Sequence, residues 1–454
     1  MSANFGCYGE KTIETPNVNR MARDGTRFAK AFTTAPVCSP SRSALVTGRY
    51  QTSIGAHHHR SGRGADKIVL PEGVETVPAL FRRAGYFTSI GSWPIGKQQG
   101  KTDYNFEWES KSVYDGTHWA DRKPGQPFFA QVQLHGGKYR GNGRTQSDVV
   151  KKALGTFTAP EAVALPPYYP DDPVIRQDWA HYLDTVRYTD LQLGQILKRL
   201  EEDGVAANTL VFFITDHGIS HARGKQFLYD EGAHIPLVVR GPGAAAGAVR
   251  TDLVSHIDLA ATSLAAAGID LPKGMHSQDL FAKDYRARDA VFAARDRCDE
   301  TVEHLRMART AKWKYIRNFL PKRPHLQPNA YKDGKAIVKR LRELHGSGQL
   351  TGLPRQLLFA PERAPEELYD LEADPFEVRN LAADPSHEAA LKEMRGRLDR
   401  WMEETGDQGS VPEAEKRYDS DMAVYLKEGS KSPEALKILE ANIALMKKWA
   451  AEGK

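Results

Sequence analysis

Apolar runs and helical repeats alternate along the first 270 residues of the chain. The longest helical repeat runs from about residue 173 to 203, and Gly204 is predicted to end that helix. Residues 210–215 (LVFFIT) are apolar throughout, which is typical of a strand buried on both faces. Shorter patterns of the same two kinds predict helices at 16–25, 41–47 and 77–84 and strands at 86–90 and 128–134. This alternation predicts an α/β fold with a mostly parallel central sheet and helices on both faces.

The pattern changes beyond residue 268. Short strands that predict a small antiparallel sheet are found at residues 290–294, 306–309, 314–318 and 367–371. A final helix is predicted to begin with Ser432 as N-cap and Pro433 in its first turn. We therefore expect two units, an α/β domain at 1–285 and a smaller α+β subdomain with a helical tail at 286–454.

Composition narrows the functional classes only modestly. The 454 residues are 40% hydrophobic and 27% charged, as in soluble globular proteins, and their net charge of +5 is dispersed, which suits anionic substrates and does not point to nucleic acid. Three cysteines exclude a disulfide framework, and no apolar stretch reaches the roughly 18 residues of a membrane span. No signal peptide is visible at the start, so the sequence leaves the localisation open.

The most informative motif is Cys38-Ser39-Pro40-Ser41-Arg42 at the start of a predicted helix. A buried structural cysteine is the ordinary alternative for such a residue. However, the motif resembles the signature of the sulfatases, and further segments at 4–49, 213–236 and 367–382 resemble that family in the same order. The chain is similar to bacterial arylsulfatase-like and sulfamidase-like members, which have an alkaline-phosphatase-like fold.

The resemblance implies a formylglycine-dependent sulfatase acting on a sulfated sugar or polysaccharide, with an N-sulfated amino sugar as one option. It implies that a maturation enzyme oxidises Cys38 to formylglycine, whose hydrated aldehyde attacks sulfur. Arg42 is then expected to hold this group, and Lys225 to bind the sulfate. His135 follows a strand and is expected to act as general acid for the leaving oxygen, with an ordinary loop histidine as the alternative.

The family also uses a divalent cation, Ca²⁺ or Mg²⁺. Asp216 and His217, at the end of the predicted strand 210–215, are the expected ligands, together with the group derived from Cys38. Open α/β sheets place ligand sites at this edge. Members of the family begin with an apolar strand that ends in two ligand aspartates, whereas this chain starts after that strand. We therefore expect poor metal binding, from either a misplaced gene start or a genuine remnant.

A second sulfate-binding lysine is less sharply defined. The run Lys-Thr-Asp-Tyr-Asn points to Lys101, and Lys97 is the competitor. His57 and His58, in a run of three histidines, are expected to line the substrate pocket rather than to bind a transition metal. His221 is predicted either to contact substrate or to be structural.

Arg295 is predicted to bind an acidic group of the sugar, with a surface ion cluster as the alternative.

Two other functions remain open on sequence grounds. One is a phosphonate or phosphate monoesterase of the same superfold. Sulfate and phosphate are nearly isosteric, and a fold does not fix the substrate. A catalytically silent glycan-binding protein would explain the absent aspartates. The resemblance suggests a periplasmic or secreted protein, with no nucleic acid and no membrane among its partners, and the oligomeric state stays open.

Overall fold

The computed structural model describes residues 1–140, 144–428 and 432–454 of a mixed α/β protein. Its strands are β1 (Thr26–Phe32), β2 (Phe87–Gly91), β3 (Phe128–Val132), β4 (Val211–Ile214), β5 (His234–Arg240), β6 (Ala248–Ser255), β7 (Val291–Arg295), β8 (Leu305–Arg309), β9 (Trp313–Asn318) and β10 (Glu366–Asp370). Its α-helices are α1 (Pro16–Arg23), α2 (Cys38–Thr47), α3 (Val77–Arg83), α4 (Ser110–Val113), α5 (Arg144–Leu154), α6 (Pro173–Glu202), α7 (Asp230–Ala233), α8 (Asp258–Ala266), α9 (Ala330–Asp333), α10 (Ala336–Gly346), α11 (Gly352–Phe359), α12 (Glu388–Glu404), α13 (Glu415–Glu428) and α14 (Pro433–Ala451). The predicted α/β class is confirmed.

The largest sheet of the α/β region has the strand order β4-β5-β1-β6. Only β1 and β6 pair in parallel, whereas β5 is antiparallel to both β1 and β4. The prediction of a mostly parallel sheet is therefore wrong for this sheet. A short apolar run reports burial on both faces and carries no information on strand direction, which is why the sequence pattern did not reveal the reversal.

Strands β2 and β3 form a separate parallel pair. A cavity of about 820 Å³ lies between this pair and the larger sheet. Residues of both β3 and β4 line it. Several of the predicted site residues, Arg42, His135, Asp216 and His217, line this cavity, and the last three follow the ends of β3 and β4.

The smaller sheet is antiparallel throughout, in the order β10-β9-β8-β7. This confirms the antiparallel sheet predicted beyond residue 286. One buried apolar cluster contains residues from both regions, including Tyr182 of α6, Phe227 and Ile337 of α10. The two regions thus share a core, and the boundary at 285/286 stays a prediction.

Helix α6 passes under the site and ends where the sequence predicts. Asp172 caps it by accepting hydrogen bonds from the backbone N–H groups of Val174 and Ile175. Helix α14 begins with Ser432 as N-cap, as predicted. None of the helices in the described part of the chain is long and apolar enough to cross a membrane.

Candidate active site

Cys38 is the first residue of α2, and its side chain is buried. Gly48 ends this helix with a φ of 64°, a left-handed conformation that favours glycine. Because Cys38 is at the N-terminus of α2, the positive end of the helix dipole points at position 38 and favours negative charge there. Cys38 Sγ lies 3.2 Å from His217 Nε2, so the motif cysteine and the histidine after β4 are adjacent.

Asp216 and His217 follow β4 directly. His217 Nδ1 lies 2.8 Å from the carbonyl oxygen of Gly218, which assigns the ring proton to Nδ1 and leaves Nε2 facing Cys38. Ligand atoms of Cys38, Asp216 and His217 all lie within 4.8 Å of one another. The three residues predicted to hold the cation are therefore adjacent.

Arg42 lies one helical turn after Cys38 and binds the residues around it. Its Nε donates to Asp216 Oδ2 at 3.0 Å, and its Nη1 donates to Gln133 Oε1 at 2.6 Å and to the Lys101 carbonyl at 2.9 Å. Burial lowers the pKa of Arg42, but attraction to Asp216 and Cys38 outweighs burial and raises it. The guanidinium is thus a fixed positive charge beside position 38.

Lys225 brings a second fixed charge to the same place. A tight turn precedes it, in which a Cβ at Gly224 would lie 2.0 Å from the Ile219 carbonyl oxygen. The lysine is 3% exposed, and its Nζ forms no hydrogen bond or ion pair with the described residues. Burial lowers its pKa, yet attraction to Cys38 and to Tyr331 raises it further, so the ammonium stays charged. A buried ammonium without a carboxylate is suited to binding an anion.

Lys101 adjoins Arg42, whereas Lys97 is exposed. Lys101 Nζ contacts Asp103 Oδ2 at 2.6 Å, and the Lys101 carbonyl accepts from Arg42. Burial raises the pKa of Asp103, but Lys101, His59 and Arg60 lower it well below its usual range. This carboxylate holds the lysine beside the site, which favours Lys101 over Lys97.

His135 lies three residues after the end of β3 and lines the cavity together with Arg42, Asp216 and His217. Its ring stacks on Tyr139, with the two centroids 4.0 Å apart. His135 thus lines the same cavity as Asp216 and His217, and its role as general acid stays a prediction.

The residues predicted to bind the sugar lie on two segments of the chain, one with His57 and His58 and the other with Arg295. His57 and His58 lie side by side, and His58 Nδ1 accepts from the backbone N–H of Arg297 at 3.3 Å. Arg295 is buried, as are Asp296 and Arg297, so the surface ion cluster considered from the sequence is wrong. Arg295 Nε donates to the Gln226 carbonyl at 2.8 Å, next to Lys225, and its Nη1 is buried without a partner among the described residues.

His221 is completely buried in an aromatic core. Its Nε2 lies 2.8 Å from Asp178 Oδ2, and the Trp179 ring lies 4.6 Å away. Burial and Arg140 lower the pKa of His221 to about 3, so it is neutral. This surrounding fits the structural alternative rather than substrate contact.

Replacing His221 with alanine is expected to lower stability without changing substrate affinity. Loss of a buried ring and of its bond to Asp178 should cost about 2–4 kcal/mol of unfolding free energy. Urea denaturation measures this loss, and Asp178→Asn is the matched variant because it weakens the same bond. A rise in KM of more than about tenfold, with the unfolding midpoint unchanged, would contradict the structural role.

Three residues at the site were missed from the sequence: Gln133, Asp103 and Tyr331. Asp103 lies two residues after Lys101 in the run that points to that lysine, so this run was the available signal. Ser39 Oγ and His59 Nδ1 are 2.7 Å apart, which places His59 next to the motif cysteine. Tyr331 comes from α9, far along the chain, and no motif marks it.

The three candidate metal ligands do not form a good site for a hard cation. Among the described residues near Cys38 they offer one carboxylate, one imidazole and one sulfur. Ca²⁺ takes six to eight oxygen ligands. In addition, Arg42 already binds the Asp216 carboxylate.

This site and this fold are those of a family of hydrolases. The family model described as "Sulfatase" matches residues 1–269, and the model "N-sulphoglucosamine sulphohydrolase, C-terminal" matches residues 217–324. The chain belongs to the sulfatase family and is a sulfuric ester hydrolase.

Two relatives and one solved structure illustrate the similarity. An ulvan-active sulfatase of Formosa agariphila is 30% identical, over 91% of this chain and 75% of the relative. Human N-sulphoglucosamine sulphohydrolase is 29% identical, over 88% of both chains. The structure of a 2-O GAG sulfatase superposes with a TM-score of 0.62 at 20% identity, covering 88% of this chain and 89% of that one, which shows a common fold.

Proposed function

We propose that this protein hydrolyses sulfate groups on a sulfated glycan, with residue 38 as nucleophile after oxidation of Cys38 to formylglycine. The observation that carries this proposal is the position of Cys38. It lies at the first turn of α2, with His217 Nε2 3.2 Å from its sulfur and Arg42 one turn further on. When formed, the hydrated aldehyde would supply a hydroxyl that attacks sulfur and a second hydroxyl whose deprotonation releases sulfate.

The surrounding side chains bind and orient the sulfate. Lys225 and Arg42 supply positive charge to the sulfuryl oxygens, where negative charge develops during transfer. Lys101, which Asp103 holds next to Arg42, adds a further positive charge. Nδ1 of His217 donates to the Gly218 carbonyl, so Nε2 can accept a proton from the hydroxyl at position 38.

His135 is proposed to donate a proton to the oxygen that leaves the sulfur. It lines the same cavity as Arg42 and His217, and an imidazole is suited to proton transfer near neutral pH. The bridging bond from sulfur to oxygen breaks as this proton arrives, and the desulfated sugar departs as a neutral alcohol or amine.

The substrate class follows from the charges and from the relatives. Positive side chains outnumber carboxylates around Cys38, which suits a polyanionic glycan. Names of relatives at 29–30% identity refer to ulvan and to N-sulphoglucosamine. We propose a sulfated saccharide bearing either an O-sulfate or an N-sulfate.

Sulfate release from defined substrates tests this function. The protein is co-expressed with a formylglycine-generating enzyme and assayed with ulvan, N-sulfoglucosamine and matched aryl sulfate, phosphate and phosphonate esters. We expect sulfate release from at least one saccharide and a preference for the aryl sulfate. A preference for the phosphate or phosphonate ester would identify a monoesterase instead, and glycan binding without turnover would identify a silent homologue.

Calcium titration tests the metal ligand set. With a single carboxylate in the candidate site, this polypeptide is expected to bind Ca²⁺ with a dissociation constant no tighter than about 0.1–1 mM. Isothermal titration calorimetry measures the constant, and Asp216→Asn serves as the control that removes this carboxylate. Micromolar binding that is lost in Asp216→Asn would contradict the expectation.

A further inference from the structure

Tyr331 lines the cavity, and its ring is close to two lysine side chains. Lys225 Nζ is 4.2 Å from the centroid of its ring, and Lys335 Nζ is 4.7 Å from the same centroid. Neither ammonium group forms an ion pair or hydrogen bond with the described residues. Two ammonium groups that are close to the same aromatic ring and are not paired with a carboxylate can stabilise a bound anion.

The Tyr331 hydroxyl forms no hydrogen bond of good geometry with a described residue, although it interacts with the nearby Ser220 hydroxyl. Its oxygen is buried and belongs to a side chain that lines the cavity with Arg42 and His217. The Ser220 oxygen is also buried, and Ser220 lines the same cavity. Buried polar groups are nearly always well paired, so two weakly paired hydroxyls that line a cavity can still bind a ligand.

We propose that the Tyr331 hydroxyl donates a hydrogen bond to an oxygen of the sulfuryl group that Lys225 binds, and that Lys335 adds a second positive charge to this subsite. The proposal rests on the proposed function, because it takes sulfate as the ligand of Lys225. It makes Tyr331 a catalytic residue supplied by the smaller subdomain.

Ionisation of the phenol gives this subsite a distinctive pH dependence. Burial raises the pKa of Tyr331, but Lys225, Lys335 and the nearby Ser220 hydroxyl together lower it to about 8, against a smaller opposing effect of Cys38. Only the protonated phenol donates a hydrogen bond, and a phenolate repels sulfate. Sulfate affinity in the wild type should therefore fall above pH 8.

The test compares Tyr331→Phe with Tyr285→Phe. Tyr285 donates a hydrogen bond to Asp252 at 2.6 Å on β6 and is absent from the cavity lining, so it is a matched loss of one hydroxyl. Binding of inorganic sulfate is measured by calorimetry between pH 6 and 10, and kcat/KM is measured on a substrate that the wild type hydrolyses. We expect Tyr331→Phe to weaken sulfate binding and kcat/KM about 10- to 100-fold at pH 7 and to remove the fall in affinity above pH 8.

Thermal unfolding separates this role from a structural one. Because the Tyr331 hydroxyl forms no hydrogen bond of good geometry, Tyr331→Phe should change the melting temperature less than Tyr285→Phe, which should lower it. Equal sulfate affinity in wild type and Tyr331→Phe, or no sulfate binding by the wild type, would overturn the inference. If sulfate binds as expected but no sulfate ester is hydrolysed, the proposed function fails while the subsite stands.

Discussion

Replacing Cys38 with alanine is expected to abolish sulfate-ester hydrolysis. Alanine lacks the thiol that the maturation enzyme oxidises, so no aldehyde and no attacking hydroxyl can form at position 38, and kcat should fall by at least about 10³-fold, the order seen when a nucleophile is lost. The substitution should leave the fold intact, because alanine is smaller than cysteine and favours the helix α2 that begins at this position. Sulfate release from the matured protein measures the effect.

Two further variants make this result specific. Cys7→Ala removes a cysteine in the short helical turn Gly6–Tyr8, where its backbone N–H donates to Asn19, and should retain full activity. Cys38→Ser keeps a hydroxyl but lacks the second oxygen of a diol, so it should become sulfated once and then stop. Sustained turnover by Cys38→Ala would show that another residue is the nucleophile.

Replacing Arg42 with lysine is expected to reduce kcat/KM by about 10²- to 10³-fold. Lysine keeps the positive charge, but it loses the planar fork that binds Asp216 through Nε while Nη1 binds Gln133 and the Lys101 carbonyl. Those three partners come from separate segments of the chain. The variant therefore tests whether the geometry, beyond the charge, is required.

Arg49→Lys is the matched control for this prediction. Arg49 also lies at α2, just beyond its last residue, and its guanidinium donates to the carbonyls of Lys273 and Gly274 on the surface. Activity of Arg49→Lys should stay within about twofold of the wild type. Equal activity of Arg42→Lys and wild type would mean that Arg42 acts only as a distant charge.

Local signals in the sequence predicted many elements well. Helix α6 begins at Pro173 as predicted and ends within one residue of the prediction, because Asp172 and Gly204 mark both ends. Strand β4 and the four strands of the smaller sheet lie within one residue of the predicted positions. In each case turn residues flank the apolar run, so the information is local.

Relationships between distant segments were not predictable in this way. The antiparallel pairing of β5 with β1 joins residues about 200 positions apart, and no local pattern encodes it. The burial of His221 against Asp178 depends on α6 passing beneath the loop. Tyr331 reaches Lys225 only because α9 folds back over the α/β region. The site residues found from the sequence were those within family motifs, and the supporting residues required the fold.

The most direct test of the account is mass spectrometry of the tryptic peptide of residues 31–42 after co-expression with a formylglycine-generating enzyme. We expect residue 38 to carry an aldehyde, detected as the mass difference from cysteine and by its reaction with a hydrazine reagent. Sulfate-ester turnover by protein in which residue 38 is entirely unmodified cysteine would contradict it.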